Sequence, residues 1–553
     1  MKKHSVIKVV LITILVMLLL TWVFPAAVFS SAYADQGRMQ MGLFDLFNYP
    51  LTALSYFGYI ALFVVLIGGF YGILYKIPAY RTFLDRIVAK FIGKEKVVVA
   101  IMIVFLAILT SVCGLQLGVF VFFPFLAAII LLMGYDKMTV ALTLVGSVAV
   151  GLAGTTFAYN NVSGLTETLQ LSPNFQIGVR VVILLAGLVI LIFNTILHMN
   201  KVGKKDMKVE KVTVKKAEVK VNDLEVEAEN KETVKKAETK KSTASKGTAK
   251  KSTAKKGTTK KTTKSGAKKS TRGRSANKAA LKDEDIIVVK ALENDDESGL
   301  VPTIVNSNHK IWPLVLGFIF LFVLMVLAFL PWASSTWNIK WFTQATEAVT
   351  GFKIFGFEIF GKLLGSVNPF GGWSITDLYT VLAVIILVNA FIYKLSFDDI
   401  IDGFMNGAKK ALMPAFVVIL LYSVLVLCTW HPFQLFLYKT VLGLTKGFNV
   451  FTTTVVAFFA PLFNIDAAYT FQSVVPYHMS LLTDASSKVL GLLAIVYQTM
   501  YGAAILVLPT SMILMPVLSW LGVSYKEWLG KAWKMFVELF AILLIIFIIL
   551  ALI

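Results

Sequence analysis

Three short stretches set small polar residues inside otherwise apolar sequence, and these are where the chain could do chemistry. Leu109–Gln116 offers Thr110, Ser111 and Gln116. Phe463–Thr470 offers Asn464, Asp466 and Thr470. Tyr497–Gly502 offers Gln498 and Thr499, and Pro509-Thr510-Ser511 follows one short helix later. Amides and hydroxyls at such places bind small solutes by hydrogen bonds. A helix that restarts beside them presents free N–H groups and a positive dipole end to an anion. Asp466 is the carboxylate of the set. At membrane depth an acid costs about 2.5–3.5 kcal/mol on insertion scales, so it needs a partner or water. It is expected to hold a cation, carry a proton or pair with a cationic solute, or else to sit hydrated near the interface. No cluster joins a nucleophile, a base and an orienting group, and no glycine-rich loop ends in Lys-Ser/Thr. Nothing in the sequence supports an enzyme or transport driven by ATP.

The elements that must position these residues are membrane helices. Of 553 residues, 57% are hydrophobic and 15% charged, against about 45–50% and about 25% in ordinary globular chains. The excess lies in blocks of about 18–24 residues, such as Val6–Phe24 and Met535–Ile553, each able to cross a hydrocarbon core of about 30 Å as a helix. The fold class read from this is an all-α polytopic membrane protein, with about twelve membrane segments in two halves and broken or re-entrant helical hairpins. Irregular backbone at membrane depth survives only where protein or a wet cavity surrounds it, so breaks point to a transport site. Val97–Val112 and Leu117–Met133 form a hairpin that either crosses twice or turns back at mid-depth. Met138–Phe157 reads as one span. Gly68–Gly72 and Gly151–Thr156 read as helix-packing patches, and Thr155, Thr156, Asn160 and Asn161 as a vestibule or a polar loop.

Cys113 and Cys428 both sit in apolar blocks, which excludes a disulfide framework or a thiolate metal site. The five histidines show no ligand spacing, and His431 and His478 read as structural residues. No cofactor is expected beyond a coupling Na+ or H+.

The net charge of +21 belongs mostly to one insert. Residues 201–300 hold 28 Lys and Arg against 16 Asp and Glu, a surplus of 12. Three regions follow: a membrane half at 1–200, a Lys-rich insert at 201–308 and a second membrane half at 309–553. Between Lys235 and Lys282 the insert repeats Lys-Lys-Ser-Thr-Ala and Lys-Lys-Gly-Thr-Thr units, too poor in apolar groups to fold, and is expected to be a disordered cytoplasmic linker. Such a run could also hold nucleic acid or anionic lipid through phosphate contacts. Lys2, Lys3 and Lys8, with the insert, place the N-terminus in the cytoplasm. Ala32-Tyr33-Ala34 fits a signal-peptide cleavage site, but the apolar core before it is long and suits a retained span.

Thr21–Pro25 and Ala61–Gly72 resemble the opening of the C4-dicarboxylate anaerobic carrier family, within the ion transporter superfamily. Phe91–Glu95, Gly134–Asp136, Phe404–Lys410, Leu508–Ser511 and Tyr525–Trp528 extend the resemblance over most of both membrane halves, but not the insert. It implies two repeats of opposite orientation whose hairpin tips meet near mid-membrane, in a homodimer that moves a transport domain against a scaffold. It implies a secondary transporter in a bacterial cell membrane, driven by gradients through alternating access, carrying a small organic ion: a dicarboxylate or an amino acid. The charge pattern alone does not show the inversion, because the basic helices Arg81–Lys96 and Ser396–Lys410 both come out cytoplasmic. The tips depart from the family pattern. Gly114-Leu115-Gln116-Leu117-Gly118 stands where a glutamate is usual, Asn464–Ala468 replaces a Ser/Gly-rich turn, and Met500-Tyr501-Gly502 replaces an Asp-Gly. A site that lost those groups and gained Asp466 is expected to suit a different, cationic solute. The expected binding set is Thr110, Ser111, Gln116, Asn464, Asp466, Thr470, Gln498, Thr499, Thr510 and Ser511. The rival from another class is a membrane anchor in which a degenerate carrier body holds the insert, and the insert tethers nucleic acid or ribosomes.

Overall fold

The computed structural model describes residues 4–203, 208–213, 285–290, 299–302, 310–333, 338–365, 367–483 and 486–553. The reading of the Lys-rich run falls on residues outside these. The chain divides into residues 1–212 with 286–553, which form the membrane body, and residues 213–285.

The first half runs α1 Ser5–Val23, α2 Leu43–Lys76, α3 Pro78–Lys90, α4 Glu95–Cys113, α5 Phe123–Leu132, α6 Lys137–Ala153, α7 Tyr159–Thr168 and α8 Ile177–Val202. The second runs α9 Trp312–Phe329, α10 Trp341–Thr350, α11 Ile359–Leu364, α12 Ile375–Ile392, α13 Phe397–Trp430, α14 Gln434–Leu442, α15 Val450–Asn464, α16 Ala467–Ser480, α17 Ser487–Ile505, α18 Leu514–Leu521 and α19 Tyr525–Leu552. Among the described residues nine helices are long and apolar enough to cross a membrane, and α5, α6 and α15 are shorter apolar helices. This is an all-α polytopic membrane protein. Among the described residues strands are confined to two short pairs, Ala26–Phe29 with Tyr33–Gly37 and Lys208–Thr213 with Asp285–Lys290.

Two helices are longer than one crossing needs: α2 runs unbroken from Leu43 to Lys76, and the basic helix at Ser396–Lys410 runs straight into the next span as α13. Pro414 interrupts neither the helix nor its packing, although its ring nitrogen cannot donate to the Lys410 carbonyl. Helices α2 and α13 cross where Gly68 and Gly72 meet Gly403 and Gly407. A Cβ on Gly72 would lie 2.0 Å from the Gly403 carbonyl oxygen, and one on Gly407 2.0 Å from that of Gly68. With no hydrophobic drive between helices in lipid, close backbone approach of this kind supplies the van der Waals contact.

The helix ends define two faces. On the near face Lys76 at the end of α2 pairs with Asp399 at the start of α13 at 3.7 Å, and Lys137 and Gly522 border the same cavity. On the far face the Trp22 indole donates to the Met41 carbonyl at 3.0 Å, and Tyr49 Oη meets His431 Nε2 at 2.6 Å. Helix α3 lies along the near face, where Arg81 donates to the Pro302 carbonyl at 2.7 Å. From there α4 rises to Gly114, and the chain returns through a 3-10 turn at Leu117–Val121 and α5 to Lys137. The second hairpin, α15 and α16, has both ends at the far face. There Phe448 stacks on His478, and Tyr477 touches Phe29 and Tyr33 of the far-face strands. The two hairpins therefore enter from opposite faces. Each is followed by a helix with a break (α6–α7 and α17–α18) and a long returning helix (α8 and α19). Helix α6 packs against α4 and α8, α17 against α15 and α19, and α6 against α17. This opposite entry of two like-ordered segments is the inversion that the charge pattern did not reveal.

Candidate functional site

Gly114 ends α4 in the left-handed region at φ +74°, a conformation glycine adopts without steric cost. That turn presses the first hairpin tip onto the break that follows α6. The Ser111 carbonyl accepts the Thr156 amide at 2.9 Å and the Ala158 amide at 3.3 Å. The Ser111 hydroxyl donates to the Gly154 carbonyl at 2.7 Å and lies 3.0 Å from Thr156 Oγ1. Gln116 donates to Asn161 Oδ1 at 3.0 Å, and Asn161 donates to the Thr110 carbonyl at 3.4 Å. The Thr110 hydroxyl is fully buried with no partner.

Helix α17 crosses the same break. Gln498 donates to the carbonyls of Ala153 and Thr155 at 3.3 Å each, and the Thr499 hydroxyl to that of Ala153 at 3.3 Å. The Gln498 Oε1 is buried and unpartnered. One turn further on, Tyr501 donates to the Ile465 carbonyl at 3.2 Å, at the tip of the second hairpin. One turn of α17 thus bonds both the break that the first tip is pressed against and the tip of the second hairpin.

The second tip is a strained turn. Ile465 has φ +48°, which is costly for a β-branched residue. Asp466 follows, half-buried, as the N-cap of α16, accepting the Ala468 amide at 2.8 Å and the Tyr469 amide at 3.5 Å on Oδ1. Asn464 donates to Tyr438 Oη at 3.2 Å. The Thr470 hydroxyl is turned back onto the Asp466 carbonyl at 2.6 Å. Thr510 ties the break after α17 to this hairpin through the Pro461 carbonyl at 3.2 Å, and the Ser511 hydroxyl accepts the Leu514 amide at the start of α18 at 3.1 Å.

The structure therefore places Thr110, Ser111, Gln116, Gln498 and Thr499 around the first break, and Asn464, Asp466, Thr470 and Thr510 around the second tip. Ser511 serves the start of α18. Two readings of local structure are corrected. Tyr497–Gly502 is not a break: α17 runs through it, and the interruption lies at 506–513. Gly502 is there for close approach, since a Cβ would stand 2.2 Å from the Ala153 nitrogen. Met138–Phe157 is not one span: α6 stops at Ala153, and the chain is irregular to Ala158. Thr155, Thr156 and Asn161 consequently belong to the site, and their signal was a small-residue run followed by polar residues.

The histidines do structural work. His431 joins Tyr49 to the Met39 carbonyl, and His478 Nδ1 lies 3.0 Å from Tyr497 Oη. On the near face Asp136 caps α6 and meets His198 Nε2 at 3.1 Å. Burial raises its carboxyl, but the hydrogen bonds from His198 and Thr139 outweigh that and hold it below the usual range. Beside it opens a cavity of about 910 Å³ lined in part by Lys76, Lys137, Lys409 and Lys410, with no carboxylate among its described lining residues.

Hairpins that enter from opposite faces and close on two broken helices belong to a multi-pass membrane protein. The chain resembles the C4-dicarboxylate anaerobic carrier family, DcuC, whose model matches residues 4–246, from α1 through α8 into the insert. The motifs at Phe404–Lys410, Leu508–Ser511 and Tyr525–Trp528 lie beyond that range. No curated protein and no solved structure matches the chain.

Proposed function

We propose that the protein is a secondary transporter of C4-dicarboxylates, working by alternating access and driven by an ion gradient. The observation that carries this reading is that one turn of α17 serves both assemblies, with Gln498 bonding the break on which the first hairpin tip is pressed and Tyr501 bonding the tip of the second. Such tips can release one side and grip the other without exposing unpaired backbone to lipid. Thr110 Oγ1 and Gln498 Oε1, buried and unpartnered, are groups a solute would satisfy, since leaving such atoms bare costs about 1–3 kcal/mol each. The family description supports a dicarboxylate. Asp466 weighs less for a cationic solute than its sequence position suggested, because Oδ1 is spent on capping α16. Its other oxygen is left for a coupling cation.

Uptake of labelled succinate by proteoliposomes tests the proposal. Gln116→Ala and Asp466→Asn are each expected to lower initial uptake at least tenfold. Unchanged uptake in both variants would refute this site.

A further inference from the structure

Among the described residues, Arg180 is the second-largest fully buried side chain after Trp528. It lies four residues into α8. Its Nη2 donates to the Pro173 carbonyl at 2.6 Å, and its guanidinium stands 4.4 Å from the centre of the Phe175 ring. Nε and Nη1 are buried with no hydrogen-bond partner. None of the ion pairs among the described residues includes it. A guanidinium removed from water without a counter-ion is among the most expensive groups a membrane helix can hold.

Its place in the fold says what the missing partner is near. Residues four apart share a helix face, and one turn along α8 from Arg180 is Leu184, whose backbone packs on Gly154 where α6 breaks: a Cβ there would meet Leu184 N at 2.7 Å. On the other side the Gln176 amide packs on Gly491 of α17, two turns before Gln498. The inverted repeat gives an independent reading. Trp528 occupies the fourth position of α19, as Arg180 does of α8, and its indole donates to the Leu506 carbonyl at the start of the second break at 2.7 Å. In one repeat this position satisfies a break by itself. In the other it carries a cation with two spare donors.

We propose that Arg180 is the cation that receives one carboxylate of the transported anion beside the first break, the remainder of the solute facing the Thr110 and Gln498 side. This rests on the dicarboxylate reading and adds a residue and a charge requirement to it. A planar guanidinium with spare N–H donors suits a carboxylate, and a lysine at the same place offers a point charge without the fork.

The test is succinate-dependent thermal stabilisation of the detergent-purified full chain, comparing wild type, Arg180→Met and Arg180→Lys. In the absence of succinate, Arg180→Met should melt at or above the wild-type temperature, because an unpaired buried charge has been removed. A residue whose role is only to pin the Pro173 loop would melt lower. With succinate, Arg180→Met should lose at least tenfold in apparent affinity and Arg180→Lys should fall between. Affinity within twofold of wild type in both variants overturns the inference and leaves the dicarboxylate reading standing. If the wild type itself responds to no dicarboxylate, that reading fails and the inference falls with it. Should Arg180→Met not fold, Arg180→Lys decides alone, a loss of more than twofold supporting the role and an affinity within twofold of wild type overturning it.

Discussion

Replacing Gly502 by alanine strikes the point where the two repeats meet. The added methyl would stand 2.2 Å from Ala153 N, 2.6 Å from Ala153 Cα and 2.7 Å from the Ala149 carbonyl oxygen, and all three are backbone atoms that cannot rotate away. Ordinary contact begins near 3.4 Å, so α17 and α6 must part by about 1 Å. The bonds from Gln498 and Thr499 to Ala153 are already 3.3 Å long and would not survive that shift. Overpacking of this kind costs about 1–3 kcal/mol, and each of the two lost hydrogen bonds about 0.5–1.5 kcal/mol, so a total of about 2–6 kcal/mol is expected. Misplacing binding groups by about 1 Å is worth up to about 100-fold in rate. Thermal unfolding in detergent and initial succinate uptake are the two readouts. Gly530→Ala, in α19 with open space around its Cβ, is the control and should be neutral or stabilising by up to about 1 kcal/mol. If Gly502→Ala melts and transports like wild type, the packing of α17 on the first break is not as described.

Gly407→Ala should destabilise by about 1–3 kcal/mol in the same unfolding assay, since its Cβ would lie 2.0 Å from the Gly68 carbonyl oxygen. Thr110→Val removes a buried hydroxyl that has no partner, so the ligand-free melting temperature should hold or rise while succinate affinity falls. A lower ligand-free melting temperature would mean that the hydroxyl is paired. The Asp136 carboxyl is held below its usual range in the folded protein, so it contributes stability above the ordinary carboxylate range that is lost as pH falls through the lowered value. Melting curves between pH 7 and pH 3 should show an acid-side loss that is smaller in Asp136→Asn. Deleting residues 235–282 should leave succinate uptake intact if the membrane body is the carrier, whereas loss of all activity would favour the anchor reading.

Much of the fold was legible because membrane helices write their length in composition: the long apolar blocks at Val6–Phe24 and Met535–Ile553 correspond to α1 and α19. The Cys113-Gly114 and Asn464–Asp466 turns were legible because glycine and a capping acid interrupt apolar runs there. The break after Ala153 was hidden, since Gly151–Gly154 reads equally well as helix packing and Gly151 does pack against the Ala107 carbonyl. The opposite error at Tyr497–Gly502 has the same origin: polar residues inside a helix can face a neighbour's open carbonyls. Arg180 stood in plain view as an arginine inside an apolar block, but its lack of a partner is a property of the packed structure. The inversion was invisible because loop charge reports sidedness, and a re-entrant hairpin returns to the side it left.

The most direct measurement is a thermal-shift screen of the wild-type protein against dicarboxylates and basic amino acids, with and without sodium. A ligand at about 100 times its dissociation constant should stabilise the folded state by about 2.7 kcal/mol. The account predicts such a shift with succinate-like dicarboxylates, strengthened by the coupling ion, and none with basic amino acids. A shift confined to basic amino acids, or no shift with any solute, would contradict it.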